Sequence, residues 1–194
     1  MKLGFYAVAI LITATIIMGA SMPIKAAEST DQQLYLKHLK YEYNNRTFAY
    51  IGMKKAAQIL KDKPAGSFYQ AYYELEVVSQ GVYKASALAL DFDYKPGWFT
   101  RFRGHLGGAA AYFVTFSPQS LINIIEPYIA RLEQLRDLSD PQYRAFFDYI
   151  VAQETAQLEA SRVAKDEGWE QGARVLRDFI ASIEVEKVTA SGDQ

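Results

Sequence analysis

Residues 31–63 read DQQLYLKHLKYEYNNRTFAYIGMKKAAQILKDK, and this stretch decides the fold. Apolar and aromatic side chains recur in it at steps of three and four: Leu36, Leu39, Tyr43, Tyr50, Met53, Ala57 and Leu60. Arg46 is the one polar interruption of that spacing. A period near that of the α-helix predicts one long amphipathic helix, buried along Leu36, Leu39, Tyr43, Tyr50 and Leu60. Additional apolar side chains widen this face, so more than one partner must cover it.

The chain beyond this stretch also has the pattern of helices. Ser117-Pro118 and Ser139-Asp140-Pro141 are helix-start signals, because an oxygen-bearing side chain caps free amides and proline fits the first turn. Apolar residues at helical spacing follow both, and no alternating strand pattern bounded by turns occurs. The sequence predicts an all-α fold: a compact bundle of five or six helices in one domain, residues 27–188, with a frayed tail at 189–194.

The N-terminus has the three-part layout of an export signal. Lys2 supplies a positive charge, residues 3–20 carry no charge and are largely apolar, and a region of small residues ends at Ala26. We predict cleavage near Ala26/Ala27 and a periplasmic or secreted protein. The alternative is an inner-membrane anchor, because the 18 residues 3–20 are just long enough to span a bilayer.

Composition excludes several classes of function. The chain has 21 Lys plus Arg against 22 Asp plus Glu, so it lacks the basic excess that nucleic-acid binding needs. It has no cysteine, which excludes disulfides, thiol nucleophiles and cysteine-bound metals. Its two histidines, His38 and His105, leave little material for a histidine site. The sequence indicates no cofactor, no metal and no catalytic residue.

Charge is unevenly distributed along the chain. Residues 31–63 carry seven Lys or Arg and three acids, whereas residues 139–186 carry five and ten. This complementarity predicts that the first and last helices are neighbours in the bundle. Exposed pairs of this kind contribute only about 0–1 kcal/mol each, so they select an arrangement more than they stabilise it.

Four glutamates lie on different predicted helices, as the carboxylates of a di-iron bundle do: Glu42, Glu74, Glu126 and Glu154. Such a bundle needs Glu-x-x-His on two helices, and the chain has none. Glu154 interrupts an apolar stripe, which makes it a candidate for burial; the alternative is a partly exposed carboxylate paired with Lys or Arg. A cavity that joins a buried carboxylate to Tyr and Arg would favour an enzyme using carboxylate and tyrosine chemistry.

The segment from Trp98 to Ala111 is the candidate partner-binding surface. It combines large apolar and cationic side chains at Trp98, Phe99, Arg101, Phe102, Arg103 and His105. It also has three small residues that allow close packing, Gly104, Gly107 and Gly108. The alternatives are that the two arginines pair with nearby aspartates and that the glycines only serve packing inside the bundle.

Tyrosine is abundant, with 14 in the chain. An apolar ring with a polar tip suits the edge of a core, a binding cleft or an interface, so a Tyr-edged core and an aromatic-lined cleft remain open. We predict an exported helical accessory or binding protein that acts through protein, lipid or ligand contacts, with oligomerisation possible. The alternatives are a membrane-anchored helical scaffold and a cysteine-free enzyme.

Overall fold

A computed structural model describes residues 30–95 and 117–192, with side chains up to residue 183. Within these ranges the chain forms five α-helices and one 3₁₀ helix and contains no strand. The helices are α1 (Thr30–Leu60), α2 (Gly66–Ala89), α3 (Pro118–Leu138), a 3₁₀ turn (Pro141–Tyr143), α4 (Arg144–Asp166) and α5 (Trp169–Gly192). The predicted all-α bundle is confirmed. Helix α5 continues into the segment that the sequence predicts to be a frayed tail.

The helix boundaries follow the local signals. The Ser117 side chain accepts a hydrogen bond from the Ser120 amide at 3.2 Å and caps α3. Asp140 caps the 3₁₀ turn in the same way, accepting from the Gln142 amide at 2.9 Å. Gly168 has φ of 106°, a left-handed conformation that ends α4 before α5 begins. Pro127 lies inside α3, which continues through it as one helix although proline removes a backbone donor.

The buried face of α1 agrees with the predicted stripe over most of its length. Leu39, Tyr43, Ala57 and Leu60 are buried, whereas Tyr50, also predicted to be buried, is half-buried. Leu36 is 38% exposed, so its predicted burial is wrong. It lies in the second turn of α1, where the buried residues of the helix have not yet begun.

Two groups of buried side chains form the core. The apolar cluster joins α1, α2, α3, α4 and α5 through small and aliphatic residues around Phe68. The aromatic cluster joins the other halves of α1 to α4 around Tyr43, Tyr83 and Phe147. In the apolar cluster, Gly172 allows α5 to approach α4 closely: a Cβ there would lie 2.5 Å from the Ala160 carbonyl oxygen.

The order of packing differs from the one that charge complementarity predicts. Helix α1 packs against α2 and α3, whereas α5 packs against α2 and α4. The first and last helices are therefore not paired directly. No helix in the described ranges has the length and apolarity needed to cross a membrane. The predicted signal or anchor, residues 1–26, lies outside the described residues.

Candidate functional site

A buried arginine on α1 connects three helices. Arg46 is 3% exposed, and its Nη1 donates to Glu76 Oε1 on α2 at 2.7 Å. Its Nη2 donates to Glu154 Oε1 on α4. Its Nε lies 3.6 Å from Glu42 Oε1, one turn earlier on α1. We call these four residues the Arg46 cluster; all four are buried.

Tyrosine hydroxyls complete the environment of Glu42. Tyr83 donates to Glu42 Oε1, and Tyr128 donates to Glu42 Oε2. Burial raises the pKa of both tyrosines well above the ordinary value, and the negative charge of Glu42 raises it further. Both hydroxyls therefore keep their protons and act as donors, and each oxygen of Glu42 accepts one of these hydrogen bonds.

The two carboxyl oxygens of Glu76 differ in their hydrogen bonding. Its Oε1 accepts from Arg46 and, at 3.3 Å, from Gln157 Nε2. Gln157 Oε1 in turn accepts from the Tyr72 hydroxyl at 2.7 Å. The second oxygen, Oε2, is buried without a hydrogen-bond partner. The two donors act on one oxygen, so Oε2 is the atom that can hold a proton without breaking a bond.

The Arg46 cluster contains three carboxyl groups and one guanidinium. Burial raises the pKa of Glu76 to about 7, against the opposing effect of Arg46. Burial also raises the pKa of Glu154, although Arg46 again acts in the opposite direction. The cluster has three carboxyl groups for one guanidinium, so Arg46 can balance only one carboxylate.

A cavity of about 200 Å³ adjoins the cluster between α1 and α3. Its walls are mainly apolar and aromatic: Tyr41, Phe48, Ala49, Gly52, Met53, Ala56, Tyr69, Leu121, Ile124 and Ile125. Its polar lining consists of Asn45, Arg46, Tyr72, Tyr128 and Glu154. Tyr41 is 48% exposed and Ile124 is 59% exposed, so the lining extends to the surface. We call this space the α1–α3 cavity.

A wider groove of about 610 Å³ lies on another side of Arg46, between α1 and α2. Aromatic residues from both core and turn line it, including Tyr43, Tyr83, Phe92 and Tyr94. Arg46 lines both spaces. Arg46 therefore lies between the narrow α1–α3 cavity on one side and the wider aromatic groove on the other.

The carboxylates do not form a metal site. In the described ranges no group of three or more His, Cys, Asp or Glu is placed to hold a metal ion. Glu126 instead forms an exposed ion pair with Arg162 at 2.7 Å, and Glu74 accepts from Gln70 at 2.9 Å. Of the four glutamates that suggest a di-iron bundle, Glu42 and Glu154 belong to the Arg46 cluster.

The predicted partner surface, Trp98 to Ala111, lies outside the described residues. The site that the structure does describe had two sequence signals. Glu154 is buried, as its position in an apolar stripe suggests, and Arg46 is the polar interruption of the α1 stripe. Glu76 was missed, although it shares one face of α2 with Tyr72 and Tyr83. Tyrosines occur both in the core and along the two spaces, so the two alternatives for tyrosine coexist.

Comparisons with protein-family models, curated proteins and solved structures find no match to this chain.

Proposed function

We propose that this chain is a binding protein that takes a small, largely apolar molecule into the α1–α3 cavity. One observation carries the proposal: the lining of the cavity is mainly apolar but includes two charged side chains, Arg46 and Glu154. Ligand sites typically combine an apolar lining with a few polar groups that fix orientation. A void beside a charged pair does not stabilise the fold, because the side chains around an unfilled space lose van der Waals contacts.

The size of the cavity limits the ligand. An engineered apolar cavity of about 150 Å³ is large enough for benzene. A space of about 200 Å³ therefore suits one ring with a short polar substituent, or a short alkyl chain. Drug-sized ligands need about 300 Å³ or more and do not fit this space as it stands.

Met53 offers a direct test, because its side chain lines the cavity. The chain has four methionines, and the other three precede residue 27. With ¹³C-methyl methionine in the full chain, the Met53 signal is assigned by its loss in Met53→Leu. We expect single-ring compounds to shift that signal in a saturable way and to raise the melting temperature.

A matched pair of alanine variants provides the control. Ala49 lines the cavity, so Ala49→Leu fills it and removes binding. Ala130 is exposed on α3, and Ala130→Leu leaves binding unchanged. If no compound in a panel of single-ring and short-chain molecules shifts the Met53 signal, the proposal is wrong. Equal binding by Ala49→Leu and the parent chain also contradicts it.

An enzyme is a second candidate, because the cavity brings Glu154 together with Arg46, Tyr72 and Tyr128. A carboxyl with a raised pKa is suited to general acid–base catalysis. Arg46 already pairs with Oε1 of Glu154 and opposes the rise of its pKa, which is why binding without turnover is the first choice. A compound that binds the parent chain and is converted by it, with conversion but not binding lost in Glu154→Gln, would establish the enzyme.

The proposal retains the export prediction. A binding protein in the periplasm or outside the cell is consistent with the signal-like residues 1–26. Mass spectrometry of the protein isolated from its native envelope tests this, and a chain that begins at Ala27 is the expected result. Intact Met1 on envelope-bound protein would favour the anchored scaffold, with residues 3–20 in the membrane.

A further inference from the structure

We propose that the α1–α3 cavity selects a small apolar amine, bound as its ammonium ion with the charged head on Glu154. This inference rests on the proposed function and specifies the chemical class of its ligand. Three observations support it: the charge of the cluster, the acceptor atoms of residues that line the cavity, and the aromatic rings among those residues.

The charge balance of the Arg46 cluster favours a cation. Arg46 is the single cationic side chain among the described residues that line the cavity. It already pairs with Glu76 and Glu154 and lies near Glu42. One guanidinium balances one carboxylate, so any further ionised carboxyl group of the cluster has no counter-charge. A bound ammonium ion supplies that charge, whereas a carboxylate or phosphate adds repulsion in a poorly solvated space.

Glu154 has an acceptor atom available for such a head. Its Oε1 accepts from Arg46 Nη2. Its Oε2 has no hydrogen-bond partner among residues 30–95 and 117–183, and Glu154 lines the cavity. A hydrogen bond between an ammonium donor and a carboxylate is stronger than one between neutral groups. Glu154 is therefore the residue that fixes the head of the ligand.

Two tyrosines provide the remaining acceptors and ring faces. Tyr72 donates its hydroxyl proton to Gln157, and Tyr128 donates its proton to Glu42. Both hydroxyl oxygens keep a lone pair for an incoming donor, and both residues line the cavity. An ammonium ion has three donors, which matches Glu154 and these two hydroxyls. Aromatic faces also attract cations, as Arg131 shows at the rim, with its guanidinium carbon 4.3 Å from the ring centroid of Tyr41.

The test compares three probes of one shape and different charge on the unmodified full chain. Benzylamine is a cation at neutral pH, benzyl alcohol is neutral and benzoate is an anion. Dissociation constants come from titrations of the Met53 methyl signal. We expect benzylamine to bind about tenfold or more tighter than benzyl alcohol, because a hydrogen bond to a charged group is worth more than a neutral one. Benzoate should bind most weakly.

Glu154→Gln identifies the residue that makes the difference. This variant keeps the shape and an oxygen acceptor for Arg46 but removes the negative charge. We expect it to lose about tenfold in affinity for benzylamine while affinity for benzyl alcohol stays within about twofold. The melting temperature shows whether the variant is folded, and the three-probe comparison on the parent chain stands without it.

The outcomes separate the two proposals. If benzyl alcohol or benzoate binds as tightly as benzylamine, the amine inference is wrong while the cavity remains a binding site. If unchanged affinity for benzylamine accompanies a folded Glu154→Gln variant, the role of Glu154 is wrong. If none of the three probes, and no other single-ring compound, shifts the Met53 signal, both the inference and the proposed function fail.

Discussion

The two halves of the bundle, the apolar cluster and the aromatic cluster, have cores of different chemical composition. The apolar cluster is built from aliphatic, small and aromatic side chains that fill space, such as Phe68, Leu75 and Leu176. The aromatic cluster is built around tyrosines that also have to satisfy their hydroxyls. The Tyr43 hydroxyl, for example, donates to the Tyr83 carbonyl at 3.2 Å and lies 2.7 Å from Ser86 Oγ.

The Arg46 cluster lies between these halves along α1, after Leu39 and Tyr43 and before Ala56 and Leu60. A space-filling core accepts many sequences of similar volume. A hydrogen-bonded core requires each donor and acceptor to meet a specific partner, since a buried polar group without one is costly. The difference indicates that the apolar half tolerates residues of similar volume, whereas the Arg46 cluster fixes the arrangement of α1, α2 and α4.

Removal of Arg46 should have the largest effect. Arg46→Met keeps an apolar stem of similar length but leaves three buried carboxyl groups without a counter-charge. Breaking a buried pair in this way costs about 3–5 kcal/mol. The control is Arg162→Met, because Arg162 makes an equally short ion pair, 2.7 Å from Glu126, at the surface. That change should cost less than about 1 kcal/mol in urea unfolding. Similar losses for both variants would show that the buried Arg46 cluster contributes no more to stability than an exposed ion pair.

Leucine truncation tests whether the two halves pack equally well. Leu39 belongs to the aromatic cluster and Leu60 to the apolar cluster, and both are buried. Each Leu→Ala change should cost about 2–5 kcal/mol in chemical unfolding. Leu88 is 77% exposed, and Leu88→Ala should cost below about 0.5 kcal/mol. A loss that small at Leu39 or Leu60 would contradict the assignment of its half as well packed.

The Arg46 cluster should also make stability depend on pH. The pKa of Glu76 is raised from 4.5 to about 7 in the folded chain. Between these values the unfolded chain has lost a proton that the folded chain keeps, so stability falls as pH rises through this range and levels off above it. One pKa unit corresponds to about 1.4 kcal/mol, so the loss amounts to about 3 kcal/mol.

Glu76→Gln isolates the contribution of this group. Its amide keeps an oxygen for Arg46 and Gln157 but does not titrate. Unfolding free energies measured at pH 5 and pH 8 should differ less in the variant than in the parent. A parent chain whose stability rises between those two values would show that Glu76 stays ionised in the folded state.

Loss of one tyrosine hydroxyl should have the smallest effect. Tyr43→Phe removes two buried contacts in the aromatic cluster and should cost about 0.5–1.5 kcal/mol. Ser86 Oγ keeps its own bond to the Tyr83 carbonyl, at 3.0 Å, which limits the loss. Tyr41 is 48% exposed, and Tyr41→Phe is the matched control with little expected change in melting temperature. Equal effects at the two positions would remove the distinction between a satisfied core tyrosine and a surface one.

The sequence predicts the local features of this fold better than the site. Helical periodicity and the Ser117 cap are properties of neighbouring residues, and both are confirmed. Periodicity also placed Leu36 on the buried face, but burial at that turn requires a covering helix that the pattern does not contain. Arg46 and Glu154 both stand out as polar positions in apolar stripes. Nothing in either stripe reveals that they pair with each other, because the contact arises only from the tertiary arrangement.

The separation of the Arg46 partners along the chain has a consequence for the order of assembly. Glu76 is 30 positions from Arg46, whereas Glu154 is 108 positions away. Closing the shorter loop costs less entropy, so the α1–α2 hairpin can form while Arg46 and Glu76 are still hydrated. We therefore expect α4 to dock later, bringing in Glu154 and excluding water from the charges together. Dehydration of the charges then falls on that late step, so substitutions in the Arg46 cluster should change the folding rate as well as the stability.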